Sequence, residues 1–507
     1  MFVLLEVVWR LLLACLRASA RCAPKLKAAL VVWPLVATSA WADPADELAA
    51  IRRQLEAQQA ELDRLRARLD EPEELAPGET NALPDPAEGA DSALAKPPEK
   101  KETDPGKKDA APAKESSPLG DWIDVSDEKW TVKLGGHIQM DYVTWADADP
   151  AIVDAQNYFN YRRLRLVADG VGYGVFDFRL QMTLEPGSGA NDNQFASPDV
   201  KDAYVSMNEI PGIGRVRIGN FFVPFSLEQV TNDTMNIFNE RSIPTQGVFA
   251  ADREVGIAVY NCTEDQNVSW AGGMFFDSIS DTVKTRFDDN QGYRLSGRLV
   301  WLPYYDEPSN GRYLVHTGVG VLHTNDYDNS VRFFARPQVQ RGPILIDSGN
   351  VAADSYTTGN LELAIVWGRF TWQNEAFLSS VHTLAGADAH VGGAYSHLSW
   401  FLTGENRVYE RFGQHGAQFG RNKPFTNFFA TPGGVGWGAW EAKARWSYLD
   451  LTDLASGQYN DLTVGFNWYW SDRTRIMFDW IHPLTTSDTP FGATESDLIA
   501  MRFDVNW

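Results

Sequence analysis

Long stretches of this chain alternate apolar and polar residues with a period of two. In "VKLGGHIQMDY", Val132, Leu134, Ile138, Met140 and Tyr142 fall on one side, and Lys133, His137, Gln139 and Asp141 on the other. "FDFRLQMTLE" sets Phe176, Phe178, Leu180, Met182 and Leu184 against Asp177, Arg179, Gln181 and Thr183, and "YRLSGRLVW", "AWEAKARWSYL" and "LTVGFNWYW" follow the same rule. The last segment, "SDLIAMRFDVNW", puts Ile499, Met501, Phe503, Val505 and Trp507 opposite Arg502, Asp504 and Asn506. Such alternation predicts β-strands, since successive side chains of a strand point to opposite faces. It does not say whether the apolar face meets a protein core or lipid.

The connections decide this. From the first strand they run long ("WADADPAIVDAQN"), short ("DGVGYG"), long ("EPGSGANDNQFASPD"), short ("EIPGIG"), very long (Val223 to Glu254) and short ("TEDQN"). Outer-membrane barrels have short periplasmic turns and longer external loops, whereas a soluble sandwich has no need of that rhythm. At roughly 22 to 25 residues per strand and link, residues 122–507 accommodate about 16 antiparallel strands, the size of a barrel with a channel. The final alternating strand ending on an aromatic is similar to the signal by which such barrels are recognised for assembly. The expected fold is therefore all-β: a 16-stranded antiparallel transmembrane barrel. Paired aromatics near strand ends, such as Tyr158 with Phe159 and Trp468 with Trp470, suit interfacial girdles.

The region before the barrel has other periods. Lys25 and Lys27 precede "AALVVWPLVATSA", and Ala40-Trp41-Ala42 closes it, so residues 1–42 read as a secretory signal peptide. Leu48, Ile51, Leu55, Gln58, Leu62, Leu65 and Leu69 step by threes and fours, predicting an N-terminal coiled-coil helix over residues 43–71. Residues 72–121 are rich in Pro, Ala, Glu and Lys and poor in large apolar residues, as expected of a disordered tether. Residues 122–507 are the barrel, placed in the outer membrane with the coiled coil in the periplasm.

Composition adds 18 Trp, 17 Tyr and 27 Phe, rings suited to a membrane–water boundary. Removing residues 1–42 takes one of 67 acids and five of 45 bases, which moves the net charge from −22 to −26. That balance argues against nucleic acid as a partner, because phosphate backbones need cationic patches. Only Cys262 remains after processing, so no intrachain disulfide is available. No HExxH, GxSxG or P-loop motif occurs, the glycines of "TPGGVGWGAW" read as a loop leading into a strand, and the chain is read as a non-enzyme without cofactor or metal.

On the polar strand faces, parity places Lys133, Arg163, Arg165, Arg215, Arg217, Arg294 and Arg298 in the lumen with Arg179, Lys443, Arg445, Arg475 and Arg502, opposed by Asp141, Asp177, Glu185, Glu441, Asp479 and Asp504. Bases lead by about two to one in this selection, and rings of Arg or Lys favour anions in a pore. The competing reading is that these charges only satisfy one another across the lumen.

In order along the chain, "LGGHIQMDY", "YRRLRL", "KDAYVSM", "RIGNFFVPFSLE", "NERS", "DREVGIAVY", "WEAKARWSYLDL" and "LTVGFNWYWSDRTRIMFDW" resemble the phosphate-selective porins of the O/P family. That resemblance implies a homotrimer of 16-stranded barrels, often with a coiled coil, whose third loop folds inward over a basic constriction. It points to Arg162 with Arg163, although strand parity turns Arg162 outward unless a bulge intervenes. It also points to Arg241 and Arg253, with Lys201 nearby, in or beside the third loop. Many relatives carry Lys where this chain has Phe221, Phe222 and Val223 before "PFSLE". The implied function is diffusion of small inorganic anions, phosphate or polyphosphate, across outer-membrane lipid. The alternatives are a non-specific porin and an envelope-anchoring barrel whose coiled coil contacts the cell wall.

Overall fold

The computed structural model describes residues 123–124, 129–153, 155–185, 199–276, 292–431 and 434–507. The expected signal peptide, coiled coil and tether lie outside the described residues. Sixteen strands form one closed sheet: β1 Trp130–Asp147, β2 Tyr158–Gly172, β3 Phe176–Thr183, β4 Asp199–Ile210, β5 Gly214–Phe222, β6 Arg253–Cys262, β7 Val268–Phe275 and β8 Tyr293–Tyr305, followed by β9 Tyr313–Asn325, β10 Val351–Trp367, β11 Phe370–Thr383, β12 Ala389–Phe401, β13 Ala439–Asp450, β14 Gln458–Tyr469, β15 Thr474–Thr485 and β16 Asp497–Asn506. Each pairs antiparallel with the next, and β16 pairs back onto β1, so no edge is left unpaired. Closure is what lipid requires, because a free strand edge in hydrocarbon would leave N–H and C=O groups without partners.

Parity assigns the faces. On β16, Leu498, Ala500, Arg502, Asp504 and Asn506 are buried in the lumen, while Met501 and Trp507 are exposed outward. The seam is close-fitting. Gly136 and Trp507 exchange backbone hydrogen bonds of 3.1 and 3.2 Å. A Cβ at Gly136 would approach the carbonyl oxygen of Arg165 to 2.4 Å and the Trp507 ring to 2.8 Å, so the closing register needs a glycine there.

Among the described residues, three segments occupy the lumen. The third outer loop, residues 223–252, buries Phe225, Leu227, Val230, Ile237, Phe238, Ile243 and Phe249. Arg253, expected in that loop, is instead the first residue of β6, because it pairs with Phe222 of β5. The fifth outer loop, residues 326–350, inserts Gln338, which donates to Ser447 Oγ at 3.0 Å and Asp461 Oδ2 at 2.5 Å. The third segment breaks the length rhythm read from the first links. Between β12 and β13, on the turn side, the described residues 402–431 and 434–438 form a strap instead of a tight turn. Its residues 407–419 enter the lumen, where Tyr409 bonds His316 at 2.6 Å and Gln414 donates to the Tyr204 hydroxyl at 2.5 Å.

Gly136→Val should disturb the β1–β16 seam by about 1–3 kcal/mol, the usual cost of forcing extra atoms into a filled site. Heat-modifiable migration of the folded barrel on a gel tests this; a variant as heat-resistant as the parent would contradict the account of the seam.

Candidate functional site

The third loop is held at both ends of its single helical turn, α1 Leu227–Val230. At its start, Leu227 N and Glu228 N donate to Glu375 of β11 at 3.1 and 2.7 Å, and Tyr395 of β12 donates to the same carboxylate at 2.6 Å. At its end, Arg241 donates to the carbonyls of Glu228, Gln229 and Thr231 at 2.9–3.1 Å, satisfying acceptors that a helix end leaves open. Glu228 accepts from Ser242 N and Oγ, which fastens the two limbs of the loop together.

That fastening presents Asp233 to the wall. Its carboxylate lies 3.1 Å from Arg163 Nε and 3.0 Å from Arg165 Nη1, both on β2, and 2.8 Å from Arg241 Nη1. Arg165 also reaches Glu185 at 3.6 Å. Three guanidiniums thus converge on one buried carboxylate. A cavity of about 10 Å³, room for about one water, opens beside it, lined by Arg163, Asp233, Asn236, Phe238, Asn239, Glu240 and Arg241.

Arg162 joins through an irregularity that strict alternation does not contain. Gln139 pairs with Arg163 but Met140 with Tyr161, so Arg162 is the extra residue of a β-bulge. The bulge turns it inward, where it forms a two-point pair with Glu240 at 2.5 and 2.8 Å. Arg502 makes a similar pair with Asp141, at 2.7 Å on both oxygens, and adds Glu240 at 2.9 Å. Burial alone would raise the Asp233 carboxyl, but Arg163, Arg241 and Arg165 hold it well below the usual range. Glu240 is likewise lowered against the effect of burial, chiefly by Arg162.

The remaining candidates fall into separate places. Arg253 pairs with Asp202 at 2.8 Å and Asp252 at 3.1 Å and lies 3.7 Å over the Phe222 ring, so one of the phenylalanines before "PFSLE" serves as an aromatic bed for a cation. Lys201 is the extra residue where β4 shifts register against β3. Arg217 lies 3.9 Å over Tyr204 and 3.7 Å from Asp177; Arg215 donates to Asn208 and to strap carbonyls at Gly413 and Gln414. On the opposite wall Arg298 pairs with both oxygens of Glu362 at 2.8 Å and donates to Ala417 O of the strap. Arg294 bonds Thr324 and Tyr356 and pairs with Glu254. Lys133 is half-buried near the turn end, in register with Asp169.

The two-to-one lead of bases does not hold for the buried groups as a whole. Among the described residues, 13 buried carboxylates stand against 11 buried Arg and Lys. Acids that parity reading passed over include Glu228, Asp233 and Glu240 on the inserted loop, Glu362 and Glu375 on β10 and β11, and Asp169, Asp202 and Asp461 on β2, β4 and β14. "NLELAIVW" contains the alternation that would have revealed Glu362; nothing periodic marks Asp233.

The sequence profile of the family described as phosphate-selective porin O and P matches residues 132–507. An uncharacterised protein of Caulobacter vibrioides is 28% identical over 457 residues, covering 86% of this chain and 84% of its own. Porin O of Pseudomonas aeruginosa is 22% identical over 405 residues, covering 72% and 86%. Among solved structures, an anion-selective porin from Comamonas acidovorans superposes with a TM-score of 0.45 at 12% identity, covering 75% of this chain and 99% of that one.

Two outcomes follow from the loop's fastening. Glu375→Ala would strand two buried N–H groups at about 1–3 kcal/mol each, so single-channel traces should become noisier and larger; a trace identical to the parent's would show that the loop is held elsewhere. Asp233 titrates lower folded than unfolded, so its stabilisation is full above the unfolded value near 4 and is lost only as pH falls further, toward the folded value. Asp233 should therefore add no step to single-channel conductance between pH 7 and about 4, and a step in that range that Asp233→Asn abolishes would contradict this.

Proposed function

Because this chain belongs to the phosphate-selective porin O and P family, we propose that it conducts small inorganic anions, phosphate or polyphosphate among them, past the arginines that converge on Asp233. Membership makes it an outer-membrane porin, a channel protein. The finer reading, an Arg- and Lys-lined anion route, draws its main support from one observation: Arg163, Arg165 and Arg241 share a single carboxylate beside a small cavity.

The charge arithmetic is local. Elsewhere in the lumen, pairs such as Arg298 with Glu362 and Arg475 with Asp504 neutralise each other. At Asp233 the bases exceed the acid, and a low-dielectric wall leaves that excess poorly screened. A passing oxyanion offers what Asp233 offers, paired acceptor oxygens for guanidinium N–H groups. In this reading Arg162, Arg163, Arg165, Arg241 and Arg253 line the constriction, Arg294 and Arg298 stand on the facing wall, and Arg215, Arg217 and Lys133 lie toward the turn end. The balanced charge of the wider lumen favours a second reading, a general porin with weak selectivity. Assembly as a homotrimer completes the proposal.

Arg163→Glu with Arg165→Glu should shift permeability toward cations, whereas Asp233→Asn should shift it toward anions by freeing three guanidiniums. Opposite shifts are expected in bilayer recordings of the two variants; shifts of the same sign, or none, would remove this cluster from control of selectivity. Added phosphate should reduce chloride current through the parent channel, and undiminished current would favour the general porin.

A further inference from the structure

The strap that enters the lumen also leaves it. Beyond Phe419 its side chains change environment: Phe425 is 67% exposed, Phe429 48%, Val435 72% and Trp437 77%. They stand by the outer face of the wall. Phe428 packs on Trp468 with ring centroids 4.6 Å apart and on Trp470 at 5.4 Å, and its backbone N donates to Trp470 O at 2.8 Å. Trp468 in turn donates its indole N–H to Trp437 O at 3.0 Å and stacks on Trp440 at 5.0 Å. The neighbours of Trp468 on β14, Asn467 and Tyr469, are buried in the lumen, so Trp468 itself points to lipid.

We propose that Phe425, Phe429, Val435 and Trp437 form an apolar foot that seats in the headgroup region of the periplasmic leaflet, with phospholipid as its partner. The foot continues the aromatic belt of β13 and β14 at the end of the barrel carrying the short turns, the periplasmic end. Large rings with one polar edge prefer that layer to either water or hydrocarbon. Lys423, exposed beside the foot, supplies a cation at headgroup level. The same strap accepts hydrogen bonds from Arg215 and Arg298 inside the lumen. Seating the foot therefore fixes the strap from outside while those arginines hold it from within.

The proposal rests on the barrel spanning the outer membrane, and the experiment separates the two claims. In the full chain, Cys15→Ser, Cys22→Ser and Cys262→Ser are combined with one of Phe429→Cys, Trp437→Cys or Met501→Cys, each variant is spin-labelled, and the protein is reconstituted in phosphatidylethanolamine–phosphatidylglycerol vesicles. Relaxation is measured with oxygen, a water-soluble nickel chelate and a nickel chelate carried on lipid headgroups. Labels at 429 and 437 should respond severalfold more to the lipid-borne chelate than to the soluble one, and the label at 501 to oxygen above both. Labels at 429 and 437 that answer mainly to soluble nickel would place the foot in water and overturn the proposal. Labels there that are immobile and shielded from all three would do so too, by showing a protein contact such as a second copy. A label at 501 that answers to soluble nickel would refute the spanning barrel itself.

Discussion

The carboxylate of Asp233 is the interaction on which the lumen's organisation depends. Strand parity forces Arg163 and Arg165 inward on the same face of β2, two residues apart, and two adjacent guanidiniums in a narrow enclosure repel each other. The third loop brings the counter-charge, and with it a third base, Arg241, which also closes the end of α1. Removing one partner of a buried ion pair costs about 3–5 kcal/mol, so the loop's position and the arginines' geometry are set together. The same residues therefore hold the loop in place and set the balance of charge beside it.

This dual role separates the Asp233 cluster from the rest of the lumenal charge. Arg502 with Asp141 and Arg298 with Glu362 are two-point pairs, and Arg502 also reaches Glu240, which it shares with Arg162. Such pairs stiffen the wall and present little net charge to a solute. Where Arg163, Arg165 and Arg241 share Asp233 and only Arg165 reaches a second acid, Glu185, bases exceed acids, and in the proposed route field lines from that excess meet a low-dielectric wall. In the proposed anion route, local stoichiometry sets the field, even though the chain as a whole is strongly acidic. External acids are screened over about 8 Å at physiological salt.

Much of this was legible in the sequence. Period-two alternation gave the faces of β1, β3, β13, β14 and β16, and the first link lengths separated the long-loop end from the short-turn end, because both follow directly from strand geometry. Arg162 shows where the rule ends: a single extra residue in β2 inverts its direction, and a bulge leaves no periodic trace. Asp233, Glu240 and the strap's Tyr409 were illegible for a related reason. They sit on irregular segments whose position is fixed by partners more than a hundred residues away or across the barrel, as with Glu375 and Leu227. Phe222 could be identified as a departure from relatives, but its place under Arg253 needed three dimensions.

The central claim is that the excess of guanidinium around Asp233 governs which ions pass. The most direct test is the zero-current potential of the unmodified protein in a planar bilayer separating concentrated from dilute potassium chloride. The account predicts the sign given by chloride crossing more readily than potassium. A potential of the opposite sign, with potassium preferred, would contradict it.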